Sequence, residues 1–340
     1  MIRVILLIGI LLFGVSGSGD PKIKESSFCK SLEPCNYILK AEKGWWNWGM
    51  APIYDEEGRI HVFMSSIPKS GRWNTDSKIV HFVADSPEGP YVFVDTTFRS
   101  DTATYHNPQI SKVGDTYVLV FLWRGKSSEG LQQSIGIATA KSLNGPWKES
   151  PNNPIIKPSF VPGSPNARHA SNPSFLVDED GKFRIYYKSI SDRQPACRTI
   201  SLATADDIEG PWVNHPENPL ISYEHLKLDI EDPYAFYYKG TYYMIVEDRM
   251  AVKDALEGNQ VPLEMIKRGG NRPGLIYKSK DGIKWDRPEI GYQTNSFYFN
   301  EDLSRTERPH ILWKDGKPEY LFLANHGSEE AGFILKIKDW

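Results

Sequence analysis

The chain has 340 residues, 40% hydrophobic and 12% aromatic, with 10 Trp and 17 Tyr, enough for a sizeable core in one large or two ordinary domains. Its formal net charge of −3 offers no electrostatic footprint for nucleic acid or an anionic membrane surface, so neither is expected as a partner. The aromatic excess suits a sheet-rich architecture, and it also suits a protein that stacks rings on sugars.

In chain order, Met1-Ile2-Arg3, the apolar run VILLIGILLFGV and the small residues SGSG have the three parts of a secretory signal, and the run is too short to span a bilayer comfortably. Residues 1 to 19 are therefore expected to be removed, leaving a secreted or periplasmic chain with no membrane contact after cleavage. Cys29 and Cys35 are close enough in sequence to pair in an oxidising compartment, with Cys197 left single. Their spacing is not that of a zinc site.

One pattern then recurs five times: MAPIYDEEGRIHVFMSS, HNPQISKVGDTYVLVFLWR, SNPSFLVDEDGKFRIYYKS, EDPYAFYYKGTYYMIVED and ERPHILWKDGKPEYLFLAN. Each copy is a proline, a short strand, a Gly-containing turn and a second strand. A third strand runs into a turn ending on an aromatic, in SPEGPY, SLNGPW, DIEGPW and KDGIKW, and Pro52 to Tyr91, Pro108 to Trp147 and Pro173 to Trp212 are each 39 residues apart. The fourth unit is longer by about 13 residues, inserted within AVKDALEGNQVPLEMIKRGGNRPG, room for a lid or specificity loop. Units of four short antiparallel strands are blades, which predicts an all-β, five-bladed propeller over residues 20 to 340 as a single domain. The fifth unit ends with Trp340 where the turn aromatic should stand. Its fourth strand is therefore expected from CNYILKAE, residues 35 to 42, a closure that removes exposed sheet edges.

In such a ring the starts of the first strands and the ends of the second strands converge on one face. The starts carry Asn47 and Trp48, His106 and Asn107, Ser171 and Asn172, Glu231 and Asp232, and Glu307 and Arg308. The return ends carry Ser65 and Ser66, Arg124, Lys188, then Glu247, Asp248 and Arg249, and finally Asn325 and His326. Acids, bases and amides gathered over a sheet core predict a polar pit that takes a small molecule. Asp232 and Glu307 are acids at first-strand starts of neighbouring blades, the pair that cleavage of a glycosidic bond requires, one carboxyl as proton donor and one as base or nucleophile. Successive side chains of a strand point opposite ways, so only one of Glu231 and Asp232 should face the axis, and Asp232 is preferred. By the same parity Trp46 and Trp48 share a side that Trp45 opposes, and Trp48 is the candidate stacking platform. Arg124, Arg168, Lys188, Arg249 and Arg308 map to the pit or its rim, where they could bind an anionic sugar or neutralise the acids.

At TERPHIL, Thr306 to Leu312, and at EDPYAF, the chain resembles the five-bladed propeller glycosidases of the glycoside hydrolase family 43 superfamily, with families 32, 62 and 117 as relatives. The resemblance implies that Glu307 is the general acid and that Asp232 is the base or the carboxylate that tunes the acid and orients the sugar. Family 43 also has an acid before the first-blade proline, where this chain has Ala51. The base then remains open among Asp232, Glu247, Asp248, His106, His169 and His310; in family 117 a histidine is implicated in the acid function. The resemblance implies an oligosaccharide or polysaccharide substrate and no cofactor, and it allows a structural ion in the central channel that no ligand set in the sequence demands. A glycoside phosphorylase and a sugar-binding propeller without catalysis are the alternatives.

Overall fold

The computed structural model describes residues 21–126, 132–261, 272–300, 305–326 and 330–340, so the expected leader lies outside the described residues. Its strands form five four-stranded antiparallel sheets. The first holds β2 (Trp45–Tyr54), β3 (Ile60–Pro68), β4 (Lys78–Ala84) and β5 (Val92–Phe98); the second holds β6 (Ala103–Val113), β7 (Thr116–Gly125), β8 (Ser134–Ala140) and β9 (Lys148–Glu149). The third holds β10 (His169–Val177), β11 (Phe183–Ile190), β12 (Arg198–Ala205) and β13 (Val213–Asn214); the fourth holds β14 (Glu231–Tyr238), β15 (Thr241–Glu247), β16 (Gly274–Ser279) and β17 (Glu289–Tyr292). In the fifth, β18 (Arg305–Lys314), β19 (Lys317–His326) and β20 (Glu330–Ile337) are completed by β1 (Leu32–Lys40). The first strands of successive blades touch all the way round, β2 to β6, β10, β14, β18 and back to β2, so the ring is closed.

Closure comes from the N-terminal strand as expected, with Leu32 opposite Ile337 and Tyr37 opposite Phe333. It begins three residues earlier than CNYILKAE, and Pro34 is accommodated because β1 is an outer strand with a register shift at that point. Central strands such as β3 are buried along both faces, whereas Val92, Phe93 and Val94 on the outermost β5 are exposed. That is the burial of blades packed face to face, and it replaces simple alternation with continuous apolar runs.

The turn aromatics fill the wedges between blades. Trp147 packs with the core shared by blades one and two, Trp212 with that of blades two and three, Trp285 with three and four, and Tyr91 with five and one. Trp340 takes the equivalent place between blades four and five, against Phe236, Tyr238 and Tyr243. Cys29 and Cys35, close enough in sequence to pair, are not joined. Cys29 is buried beside Ile23 and Ile290 while Cys35 packs with a different core on β1, and all three cysteines are free. Short helices α1 (Ser27–Lys30) and α2 (Trp73–Asp76) precede a third, α3 (Val252–Leu256), which opens the insertion in blade four; residues 262–271 of that insertion lie outside the described residues.

Candidate active site

Each first strand breaks its pairing register at one equivalent place: between Trp48 and Ala51, His106 and Gln109, Ser171 and Ser174, Glu231 and Tyr234, and Glu307 and His310, with β18 breaking again between Leu312 and Trp313. At each equivalent place one residue has left-handed backbone, namely Gly49, Asn107, Asn172, Asp232 and Arg308, with φ between +50° and +66°. These are β-bulges of the kind that re-aim side chains beside functional sites. Gly, Asn and Asp tolerate the conformation best.

The repeat corrects two expectations. The bulge turns Glu231 and Asp232 to the same side, so both line the pit where strict alternation allowed one. The first-blade counterpart of Asp232 is Gly49, not Ala51. Ala51 lies beyond the bulge, is 1% exposed, and packs in the core with Phe63 and Tyr105. Pro52 is a misleading landmark because Met50, not a proline, follows the left-handed residue in blade one.

The five bulge residues form the floor of the ring. Asn107 Nδ2 donates to Asn172 Oδ1 (3.0 Å), and Asn172 Nδ2 donates to Asp232 Oδ1 (2.6 Å). Arg308 Nη1 reaches the same Asp232 oxygen at 3.3 Å, and its Nη2 donates to the Asn107 carbonyl at 3.3 Å. A methyl group at Gly49 would lie 3.5 Å from both Arg308 Nε and Asn107 Oδ1. The guanidinium therefore fills the space that the missing side chain leaves on the axis.

Above the floor opens a cavity of about 800 Å³. Of the candidate residues, Asn47, Trp48, His106, Asn107, His169, Asn172, Lys188, Asp232, Arg249, Glu307 and His326 line it. Five others lie below or behind the wall. Arg308 is in the floor, and His310 is buried beneath it with Nδ1 hydrogen-bonded to the Arg308 carbonyl. Asp248 caps α3, accepting from the backbone N–H groups of Val252 (2.7 Å) and Lys253 (3.0 Å). Arg124 donates to the Asn74 carbonyl under the loop that carries Trp73. Glu247 is buried behind Glu307 and Asp232. Arg168 is exposed and outside the lining.

The wall also contains residues that the sequence pattern does not single out as lining: Glu231, Arg198, Arg305, Gln133, Trp46 and Trp73. Trp73 belongs to a short helix, α2 (Trp73–Asp76), in the connection from β3 to β4. Starts of third strands reach this face as well as ends of second strands, which is how Arg198 arrives. Trp46 and Trp48 do share a side, as parity predicted, and Trp45 instead lies under Lys78 Nζ at 4.2 Å. Trp46 and Trp73 are 44% and 41% exposed, apolar rings left open to solvent at the mouth.

The opposite wall is charged. Glu231 is met by Lys188 Nζ at 2.8 Å, Arg249 Nη1 at 2.9 Å and Arg198 Nε at 3.4 Å, and Arg198 also pairs with Asp229. Burial alone would raise the Glu231 carboxyl, but these three cations outweigh it and hold the group well below the usual carboxylate range. Glu307 behaves oppositely. Burial pushes it up to about 8 against the pull of Arg305, whose Nη1 is 2.9 Å away, and the negative Asp232 and Glu231 add to the rise. Two carboxyls lining one cavity are thus pushed in opposite directions, Glu231 toward the ionised form and Glu307 toward the protonated one.

The histidines are neutral. Burial, with Arg308 and Lys188 adding, lowers His106 to about 3, and burial, with Lys188, Arg168, Arg124 and Arg198 adding, lowers His169 to about 4. The Gln133 backbone N–H donates to His169 Nδ1 at 3.2 Å, so the ring proton sits on Nε2 and the group is a donor rather than a base. Glu307, Asp232 and Glu247 each place an oxygen within 4.8 Å of the others. The positive charge beside them comes from Arg249, Arg305 and Arg308.

The fold and the pit define a closed five-bladed propeller with a proton-bearing carboxyl, a partner carboxylate, a cationic wall and an aromatic mouth. No family model and no curated protein sequence matches the chain. Solved structures do match the fold. A family 117 glycoside hydrolase, Zg3597 from the marine bacterium Zobellia galactanivorans, superposes with a TM-score of 0.62 at 16% identity, covering 89% of each chain. A complex of BT0996 with RGII gives 0.63 at 12% identity, covering 91% of this protein and 92% of that one. CoXyl43, a family 43 β-xylosidase/α-arabinofuranosidase from a compost microbial metagenome, in complex with xylotriose, gives 0.58 at 13%, covering 89% and 93%. At these identities the likeness is one of fold.

Proposed function

We propose that this protein is a secreted glycoside hydrolase that cleaves an oligosaccharide or polysaccharide from its end in the central pit, with Glu307 as proton donor. The observation that carries this reading is the protonated Glu307 at the cavity wall, beside an Asp232 carboxylate whose two contacts both fall on Oδ1. A carboxyl that keeps its proton at neutral pH is what a departing sugar oxygen needs, and general acid help of this kind is worth about 10²- to 10⁴-fold. Oxygens of Glu307 and Asp232 lie within 4.8 Å of each other, close enough for the charge on Asp232 to help keep the proton on Glu307. In this reading Asp232 is the carboxylate that orients the sugar or acts on it. The depth of a pit closed below by the ring floor supports action on a chain end. The glycoside hydrolase neighbours support the reaction class.

Three cations against Asp229 and Glu231 leave a positive surplus on the wall of blades three and four, which supports a substrate with a carboxylate or sulfate. The same wall favours one second reading, phosphorolysis. No other unpinned carboxylate lines the pit among the described residues, and phosphate would bring its own nucleophile.

The test is product release from a panel of neutral and anionic oligosaccharides by the wild type and by Glu307→Gln, with and without phosphate. Release by the wild type alone supports hydrolysis, and release only with phosphate moves the protein to phosphorolysis. Binding of a glycan without product from any of the panel overturns both.

A further inference from the structure

Glu247 ends β15 directly opposite Glu231 in the ladder and is 4% exposed. It does not line the pit, yet one of its oxygens lies within 4.8 Å of carboxyl oxygens of both Asp232 and Glu307. Its Oε2 has no hydrogen-bond partner among the described residues. The cations nearby are committed elsewhere: Arg249 to Glu231, Arg305 to Glu307 and Arg308 to Asp232. Arg198, which also acts on it, is paired with Asp229 and Glu231; the other titratable neighbours are Tyr292, whose hydroxyl donates to the Thr306 carbonyl at 3.1 Å, and the helix-capping Asp248 next to it in the chain. A buried carboxyl with no counter-charge of its own, set among other acids, keeps its proton. Burial first, then Glu307, Glu231 and Asp232, drive it well above the usual carboxylate range.

We infer that Glu247 is a positioning residue, a neutral carboxyl that donates its O–H to Glu307 once Glu307 has passed its own proton to the departing sugar oxygen. The bond from that oxygen to the sugar carbon breaks as the proton arrives, and Glu307 is left as a buried carboxylate. A neutral donor behind it stabilises that charge, whereas an ionised neighbour would oppose it. Glu247 loses nothing in this step. Glu307 regains a proton from the attacking water when the product leaves. The role in turnover rests on Glu307 being the donor, as proposed above, but the hydrogen-bond relation between the two carboxyls is open to measurement without any substrate.

The experiment is titration of the glutamate carboxyls by carbon NMR of ¹³C-glutamate-labelled full chain, as wild type, Glu247→Gln and Glu247→Leu. Glutamine keeps a neutral donor of the same shape, and leucine keeps neutrality and removes the donor. The expected result is a protonated carboxyl at pH 7 that disappears in both variants. The Glu307 midpoint should rise in Glu247→Leu by roughly one to two pH units, the span of a hydrogen bond to a charged group, and rise less in Glu247→Gln. A Glu307 midpoint that falls in both variants would mean that Glu247 is ionised, and an equal rise in both would mean that its hydrogen bond does not matter. Either overturns the inference. On a substrate found with the panel above, kcat should fall further in Glu247→Leu than in Glu247→Gln, with the basic limb of the pH profile moving the same way as the NMR midpoint. If no glycan is turned over while the NMR pattern holds, the functional reading fails and the carboxyl relation stands.

Discussion

The Arg308 guanidinium lies 3.3 Å from Oδ1 of Asp232, and the two side chains are 2% and 3% exposed. At that depth the pair is worth little against apolar replacement, but removing one partner leaves an uncompensated buried charge. Arg308→Met is expected to lose about 3–5 kcal/mol in urea unfolding, and Arg308→Met combined with Asp232→Asn to recover most of it. Equal losses in the single and double variants would show that packing on the axis, not charge, is what the arginine provides.

Glu307 carries a prediction of opposite sign in activity and stability. Its folded carboxyl titrates near 8 against an ordinary value of 4.5, so its contribution to the fold is intact below about pH 4.5 and is lost as pH rises through 8. Glu307→Gln should therefore reduce turnover by about 10²- to 10⁴-fold and yet melt at a higher temperature than the wild type at pH 8. The gap should close toward pH 5. Thermal scans of both proteins at the two pH values check this directly.

A second titration sits in blade one, on the side away from the pit. His61 Nδ1 is 2.8 Å from His81 Nε2, and His61 Nε2 is 3.2 Å from Asp55. With the Asp55 carboxylate accepting from His61, the ring protons are fixed in one direction and His81 Nδ1 is left as an acceptor with no partner among the described residues. Burial lowers both rings, His81 to about 3. A histidine whose folded value is depressed supports the fold above its unfolded value of about 6.5 and withdraws that support as pH falls. Stability should drop between pH 6.5 and 4, by up to about 1.4 kcal/mol per pH unit for each ring. His81→Phe, which extends the stack on Phe63, should flatten that slope. An unchanged slope would place the acid sensitivity elsewhere.

Arg249 separates the substrate classes. Its Nη1 meets Glu231 at 2.9 Å, but its side chain is 24% exposed and lines the cavity. Arg249→Ala is expected to raise KM for a uronate- or sulfate-bearing substrate about 10- to 100-fold, the value of a hydrogen bond to a charged group, and to leave neutral substrates nearly unaffected. Loss on both would assign the residue to holding Glu231 alone.

The ring is legible in the sequence because its signals are local and repeated. The 39-residue spacing from proline to turn aromatic predicts the blades, and Trp340 predicts the fifth wedge. What the sequence hides is the extra residue in each first strand. A bulge does not alter composition, yet it reverses parity, which is why simple alternation turns Glu231 away from the pit; the proline landmark, displaced in blade one, aligns Ala51 with Asp232 in place of Gly49. Asp248 and His310 mislead for a different reason. Both carry suitable chemistry at suitable positions, but each finds a backbone partner, a helix start and a carbonyl, that no strand pattern announces. Trp73 comes from a second-to-third strand connection and Arg198 from the first position of the strand that follows one, so their reach to the pit depends on loop conformation and leaves no periodic trace.

The repeated left-handed step also separates what can change from what cannot. Cores between blades are built from residues beyond the bulge, such as Ala51 and Tyr234, whereas the axis is populated by Gly49, Asn107, Asn172, Asp232 and Arg308. A family of rings could therefore exchange its axial set, a glycine for an aspartate or an asparagine for a carboxylate, while every wedge of aromatic packing stays as it is. Four of the five present occupants are of the residue types that accept this backbone cheaply. Arg308 is the exception, and its contacts with Asp232 and the Asn107 carbonyl mark it as the member of the set whose replacement would oblige the others to change.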